Sequence, residues 1–405
     1  YKAILMMSQA DLKNNIKKEV NSLFKQLVQV RRHIHANPEL SFKEKNTSAF
    51  VKNILDDHDI KYTSGYCVHG IVAEIKGEQK GKTIYLRGDM DALPIKETNN
   101  VPYKSSVEGV MHACGHDVHT TCVLGSALVL NKFKKHIKGT IKIIFQPGEE
   151  KLPGGASIMI KDGAITNVKN SKILAQHVHP PLEVGKVGFH AGEYMASADE
   201  IYLEIIGKGG HAALPSNFID TILVASQVIT ALHTVVSRYS DPKIPTVLSF
   251  GKIFSDGGAT NVIPEKVHIL GTMRTMDEDN RKHLHSIIMD MVKNTVKAYG
   301  AKCKVNIKYG YPTLYNNIPL TEESIGHARD FLGSKNVVLL DKRMTAEDFS
   351  YFSQMMPACF YRLGTGNIAK GITSPVHTST FDIDEKALKV GVGLMSYLAI
   401  MSSPS

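Results

Sequence analysis

The sequence predicts an α/β protein in which a doubly wound, mixed sheet is interrupted by an inserted ferredoxin-like α+β domain. Three observations carry this. The chain has 405 residues, more than one hydrophobic core usually serves. Short β-branched runs alternate with helical stretches in its first half, the signature of a largely parallel sheet flanked by helices. A block of different character, β-α-β-β-α-β, then separates the early runs from a similar one far downstream.

The elements follow in order. From Val20 to Leu55 the apolar spacing is helical. "GIVAEIKG", "KTIYLRGDMDALP" and "GTIKIIFQPGEE" read as strands, with a helix over "TTCVLGSALVLNKF" between the last two; "SKILAQHVHP" and "PACFYRLGTG" continue the style. The inserted block reads as a strand (Glu200–Ile206), a helix (Phe218–Arg238), two strands (Thr246–Phe254 and Lys266–Thr272), a helix (Glu278–Tyr299) and a strand (Lys302–Lys308). Residues 1–190 and 310–405 are therefore expected to form one discontinuous domain and residues 191–309 the inserted one. The apolar stripe in "TILVASQVITALHTVV" is expected to pack on the inserted sheet, with its flank open to a second subunit.

Composition narrows the classes. Hydrophobic residues make up 43% and charged residues 21%, as in a soluble globular chain. No run approaches the roughly 18 apolar residues of a membrane span. The opening "YKAILMMSQADLKNN" lacks a basic stretch followed by a long apolar one, so no secretory signal is expected. The chain starts at Tyr1; Met6 or Met7 is a candidate natural start, and the first residues are left out of the fold reading. Five scattered cysteines, Cys67, Cys114, Cys122, Cys303 and Cys359, argue for a reducing, cytoplasmic setting rather than a disulfide framework. The net charge of +9 is not organised into a nucleic-acid motif and fits small anionic substrates or an unspecialised basic surface. No nucleic-acid or membrane partner is expected.

Chemistry gathers at the carboxyl ends of the predicted strands, where sites in open α/β sheets form. Asp89 and Asp91 follow one, Glu149 and Glu150 another, and His177 and His179 a third; "HACGHDVHT" leads from its loop into the helix near Thr120. Taken alone, that stretch allows metal ligands, a thiol nucleophile with its base, or a spectator cysteine. Acids, imidazoles and a thiol together suit a divalent transition metal. The candidates outnumber the ligands one ion can use, which points to two ions about 3.5–4 Å apart.

"RRHIHANPELSFKE", "LRGDMDALPIKE", "MHACGHDVHTT", "FQPGEE", "GKGGHAALP", "ATNVIPEKV", "GTMRTMD" and "VHTSTFDIDE" occur in one order from about Val30 to Leu388. Together they resemble the amidohydrolase branch of the aminoacylase and carboxypeptidase G metallopeptidase family, which includes hippurate hydrolases and auxin-conjugate hydrolases. The resemblance implies a catalytic domain with an inserted lid and dimerisation domain. It also implies two divalent ions per subunit, Mn²⁺ or Zn²⁺, with Ni²⁺ or Co²⁺ as alternatives. Cys114, His116, Glu150, His177 and His377 resemble the ligands, Cys114 bridging, with Glu150 and His377 on one ion and His116 and His177 on the other. Glu149 resembles the general base that deprotonates the bridging water.

The wider family has a histidine two residues before an acid where this chain has Asp89-Met90-Asp91. His116 is expected to supply that imidazole, and Asp91 to fix a ligand histidine's tautomer; the alternative for Asp91 is a loop-capping carboxylate. His211 resembles an oxyanion donor that reaches a neighbouring subunit's metals. Asn261 and Arg274 resemble residues that grip the substrate carboxylate, though an arginine at a strand end can equally be a surface ion pair. His112 and His119 are expected to be supporting hydrogen-bonders, His179 to lie outside the ligand set, and the other four cysteines to be ordinary thiols. The activity implied is hydrolysis of N-acyl amino acids by a homodimer or higher homo-oligomer. The alternatives are a dipeptidase or exopeptidase using the same site, and a metal-dependent binding protein. The presence of Glu149 argues against the last, since binding needs no base.

Overall fold

The computed structural model describes residues 8–403; Met6 and Met7 lie outside the described residues. The chain divides into two compact units. One comprises residues 8–192, 315–341 and 351–403, the other Glu193–Leu314 and Lys342–Ser350.

The first unit opens with α1 (Gln9–Ala36), α2 (Lys45–Asp57), β1 (Lys61–Tyr66), β2 (Gly70–Lys76), β3 (Gln79–Asp89), α3 (His116–Lys132), β4 (Lys138–Gln146), α4 (Gly155–Lys161), β5 (Ser171–Glu183) and β6 (Val187–Phe189). The second unit holds β7 (Asp199–Ile206), α5 (Thr221–Leu232), α6 (Thr234–Tyr239), β8 (Thr246–Ser255), β9 (Lys266–Thr275), α7 (Glu278–Ala298) and β10 (Lys302–Tyr309). The first then resumes with α8 (Ile318–Leu332), β11 (Val337–Leu339), β12 (Ala358–Gly366) and α9 (Ala387–Met401).

Helical spacing over residues 20–55 is broken in the structure: α1 stops at Ala36 and α2 starts at Lys45. Asn37 precedes Pro38, whose ring disfavours helical backbone in the residue before it, and Asn37 sits at φ −124°.

The eight-stranded sheet of the first unit has the order β1-β2-β4-β3-β5-β12-β6-β11. Its centre is parallel: β4, β3, β5 and β12 run together. Antiparallel β1 and β2 extend one side, and β6 pairs antiparallel with β12 on the other. Central strands covered on both faces need apolar side chains on both, which is why Ile84–Leu86, Ile141–Phe145 and Ile173–Ala175 read as near-continuous runs. Every residue of α3 from His116 to Leu130 is buried. A Cβ on Gly125 would come within 2.7 Å of Leu27 and 2.8 Å of Val392, so the glycine lets α1 and α9 close on α3. Arg31 on α1, fully buried, adds an ion pair to Asp117 in the first turn of α3 at 2.7 Å, and His35 Nδ1 meets the same carboxylate at 2.8 Å.

In the second unit four antiparallel strands take the order β8-β9-β7-β10, the arrangement of a split β-α-β. Ile201, Leu203 and Ile205 meet Val224, Val228 and Leu232 of α5 and Leu284, Ile288 and Val292 of α7 in one core. The helix expected over residues 218–238 starts at Thr221, capped by the Asp220 side chain, and is interrupted at His233. There Thr234 Oγ1 donates to the Ala231 carbonyl and competes with the backbone ladder. By length and composition alone Thr221–Tyr239 could cross a membrane, but Val224, Ala225, Val228, Leu232 and Val235 are buried in the unit's own core.

At the start of β7, Asp199 is buried and accepts from Arg281, from His285 Nε2 at 2.8 Å and from the Gly310 N–H at 3.1 Å. Burial by itself would raise its carboxyl, but Arg281 and His285 outweigh it and hold the group below the usual carboxylate range. Asp199→Ala removes the buried partner of Arg281 and His285, leaving Arg281 only its pair with Glu278 at 3.1 Å, and is expected to cost about 3 kcal/mol in denaturant unfolding at pH 7. Because the folded group's pKa is depressed, the stability it adds is present above the ordinary carboxylate pKa and fades as pH falls through the folded value. The gap between wild type and variant should therefore shrink in acid.

Candidate metal centre

The site is assembled by the first turn of α3, the end of β3, the loop after β4, the late part of β5 and the loop before α9. Gly115 adopts φ 80°, ψ 20°, and a Cβ there would come within 2.5 Å of Val178. Only glycine fits this left-handed step, which starts α3 at His116, earlier than the loop expected from the sequence. Cys114 and His116 consequently stand on either side of one turn, both buried.

His116 donates from Nδ1 to Asp91 Oδ1 at 3.1 Å, which leaves Nε2 as its free lone pair. Asp91 also accepts the backbone N–H groups of Glu149 at 3.1 Å and Glu150 at 2.9 Å, and the Ser41 hydroxyl at 2.7 Å. His177 lies within β5 rather than beyond it, donates from Nδ1 to the Val178 carbonyl at 2.8 Å, and has Nε2 3.5 Å from Cys114 Sγ. His377 Nε2 is 3.2 Å from both Cys114 Sγ and Glu150 Oε1. His377 sits at φ 63°, strained for a non-glycine residue, and its N–H donates to the Ala113 carbonyl at 2.7 Å.

Three sets of ligand atoms result, each with all its atoms within 4.8 Å of one another: Cys114, His116 and His177; Cys114, Glu150 and His377; and His116, Glu149 and Glu150. Cys114 is common to the first two. His116 Nε2 is buried without a hydrogen-bond partner, a cost of roughly 1–3 kcal/mol, and buried Glu150 Oε1 meets the His377 ring at 3.2 Å. Thiolate, imidazole and carboxylate suit a divalent transition metal, and the unpartnered His116 nitrogen belongs to two of these sets, so the residues fit the group. Burial raises the Cys114 thiol, and Glu150 adds to it. Burial would lower His116, but Asp89 and Asp91 outweigh it and push its pKa up. Bonds to Cys114 and Glu150 push His377 up to about 10.

Asp89, His116 and His119 form a further compact set, but its atoms are otherwise engaged. Asp89 accepts from Arg87 Nη1 and from His119 Nδ1, each at 2.6 Å, and His119 Nε2 accepts from the Val178 N–H at 2.9 Å. His112 is buried and pushed down to about 3 by that burial. Neither His112 nor half-buried His179 belongs to any of these sets. None of the five cysteines is in a disulfide; Cys67, Cys114, Cys122 and Cys359 are buried and Cys303 partly so.

The loop after β4 has a support that the sequence does not announce. Glu44 is buried, accepts from the N–H groups of Phe42 and Gly148 at 2.9 and 2.8 Å, and is pushed up to about 7 by burial and by Asp91. In the sequence Glu44 is one acid of "PELSFKE", with no spacing that marks it as buried. The remaining candidates belong to the second unit. His211 is exposed on a two-residue strand paired with Val262–Ile263, and its Nδ1 accepts from the Ala213 N–H at 3.1 Å. The Asn261 carbonyl accepts from the Ala212 N–H at 3.0 Å, next to His211. Arg274, near the end of β9, donates to the Met344 carbonyl at 3.2 Å, so one of its nitrogens serves the Lys342–Ser350 segment.

Comparison with known proteins places this geometry. Residues 85–400 match the family described as peptidase family M20/M25/M40. An N-acyl-L-amino acid amidohydrolase of Geobacillus stearothermophilus is 41% identical over 304 residues, 75% of this chain and 81% of the relative. Thermostable carboxypeptidase 2 of Saccharolobus solfataricus is 38% identical over 396 residues, 97% of this chain and 99% of the relative. The crystal structure of a Bacillus subtilis protein, described as a dinuclear metal binding peptidase from the M20 family, superposes with a TM-score of 0.82 at 31% identity, covering 94% of this chain and 99% of that one. A family match over most of the chain and relatives 38% and 41% identical show the family: the chain belongs to peptidase family M20/M25/M40 and is a hydrolase of that family.

Proposed function

We propose that this hydrolase is an N-acyl-L-amino acid amidohydrolase that cleaves the amide bond with two divalent ions and a glutamate base. The observation that carries the reading is that Cys114 belongs to two ligand sets at once, with Glu149 and Glu150 alongside. Cys114, His116 and His177 would hold one ion, and Cys114, Glu150 and His377 the other. When bound, the ions supply positive charge that lowers the pKa of a water towards ~7 and polarises the amide carbonyl. Mn²⁺ and Zn²⁺ both suit these donors, as do Ni²⁺ and Co²⁺.

The chain's own residues do the rest. Glu149 takes a proton from the attacking water and delivers it to the amine nitrogen as the C–N bond breaks, giving a carboxylate and a free amino acid. Asp91 holds His116 in the tautomer whose Nε2 faces the ion, and anchors the N–H groups of the two glutamates. His211 donates to the oxyanion of a neighbouring subunit, and Asn261 and Arg274 grip the substrate carboxylate, the guanidinium in two-point fashion. This role makes the protein a homodimer or larger assembly through the inserted domain, which also acts as a lid. Exposed Ile222, Leu223, Ile253 and Phe254 on that unit, and its open edge strands β8 and β10, support such pairing. A free thiol as ligand suits a reducing cytoplasm. Exopeptidase action on short peptides is the second reading, favoured by the similarity to a carboxypeptidase.

Release of amine from N-acetyl, N-benzoyl and N-succinyl amino acids, compared with dipeptides, separates the two; activity on dipeptides alone would refute the amidohydrolase reading. Glu149→Gln should reduce kcat by about 10²–10⁴-fold while the metal content stays at the wild-type value. Unchanged kcat would remove Glu149 as the base. Mixing two inactive variants, His211→Ala and Glu149→Gln, should restore about a quarter of wild-type activity, because half the dimers are mixed and each contains one intact site. No recovery after confirmed subunit exchange would place His211 outside the neighbour's site.

A further inference from the structure

His119 lies one turn into α3, buried, and is not among the five candidate ligands. Both ring nitrogens are committed: Nδ1–H donates to Asp89 Oδ1 at 2.6 Å, and Nε2 accepts from the Val178 N–H at 2.9 Å. That pair of bonds fixes one neutral tautomer, because a carboxylate demands a donor and an N–H demands an acceptor. Arg87 Nη1 holds the other oxygen of Asp89 at 2.6 Å. Val178 directly follows His177. The ladder between β3 and β5 ends at the pair Arg87–Ala175, two residues before His177, and past it an imidazole accepts the strand's N–H. The carbonyl of the same Val178 takes the His177 Nδ1–H at 2.8 Å, which aims His177 Nε2 at Cys114 Sγ, 3.5 Å away.

We propose that the Asp89–His119 pair is a positioning device for His177. His119 stands in for the strand that β5 has lost, fixes the backbone of Val178, and through its carbonyl sets the tautomer and direction of the His177 ring. His119 itself touches neither ion nor substrate. The inference rests on the reading of Cys114, His116 and His177 as ligands of one ion, and it assigns to Asp89 a supporting task. Partners of this kind fix the orientation in which a ligand imidazole meets its metal.

The two amide isosteres separate the bonds. An asparagine at position 119 ends near the place of Nδ1, keeps a donor to Asp89 and cannot reach the Val178 N–H; a glutamine carries its oxygen to the place of Nε2 and can accept from it. Metal-free wild type, His119→Asn and His119→Gln are titrated with Zn²⁺ against a chromophoric chelator, and their metal-free thermal unfolding is recorded in parallel. The expected result is that His119→Asn binds one of two equivalents about 10–100-fold more weakly, while His119→Gln stays within about threefold of wild type. The thiolate-to-cobalt absorption of the Co²⁺-loaded proteins should change in His119→Asn and be retained in His119→Gln. Zinc binding by His119→Asn equal to wild type overturns the inference. So do equal losses in both variants that track their metal-free unfolding temperatures, since these mark a merely structural residue. A wild type that binds no zinc overturns the ligand reading and this inference with it, and is distinguished by failing before any variant is compared.

Discussion

The buried carboxylate of Asp91 is the interaction on which the site depends. It sits just past the end of β3 and accepts from His116 at the start of α3, from the N–H groups of Glu149 and Glu150 after β4, and from Ser41 in the turn between α1 and α2. Burial alone would raise its pKa; the bond to His116 and its charge outweigh that and hold the group below the usual carboxylate range. One charge therefore holds three segments in register, and each carries chemistry or supports it. Loss of any donor would leave part of a buried charge unsatisfied, which is why the arrangement behaves as a unit.

Around this carboxylate the fold supplies stiffness. Central parallel strands carry apolar residues on both faces, and α3 is buried through its first fifteen residues against α1 and α9. The Arg31–Asp117–His35 cluster anchors the first turn of α3. Two left-handed steps serve the site: Gly115 opens the helix, and His377 takes a left-handed backbone while its ring meets Cys114 and Glu150.

Much of this was legible because the chemistry follows strands. β3, β4 and β5 announce themselves as β-branched runs, and the acids and histidines come at or just past their ends, so Asp91, Glu149, Glu150 and His177 could be grouped from sequence. The β-α-β-β-α-β block was readable for the same reason, since its period switches between 2 and 3.6. His377 was different: nothing in its own periodicity points to Cys114, and only the resemblance carried by "VHTSTFDIDE" singled it out. Bonds made through backbone groups were invisible. The role of the Val178 peptide, and so the engagement of both nitrogens of His119, depends on where β3 ends, which no residue type records. Segment 342–350 likewise has no helical or strand period, and its grouping with the second unit emerged only in three dimensions. Proline explains the split between α1 and α2, a local rule that the apolar spacing over residues 20–55 overrode in the reading.

The central claim is that one thiolate, Cys114, is shared by two ions. X-ray absorption at the metal edge of the zinc-loaded protein measures this directly. The account predicts a sulfur scatterer at about 2.3 Å from zinc at full loading, together with a metal–metal distance of about 3.5–4 Å, both lost in Cys114→Ala. A fully loaded protein with only nitrogen and oxygen neighbours and no metal–metal vector would contradict it.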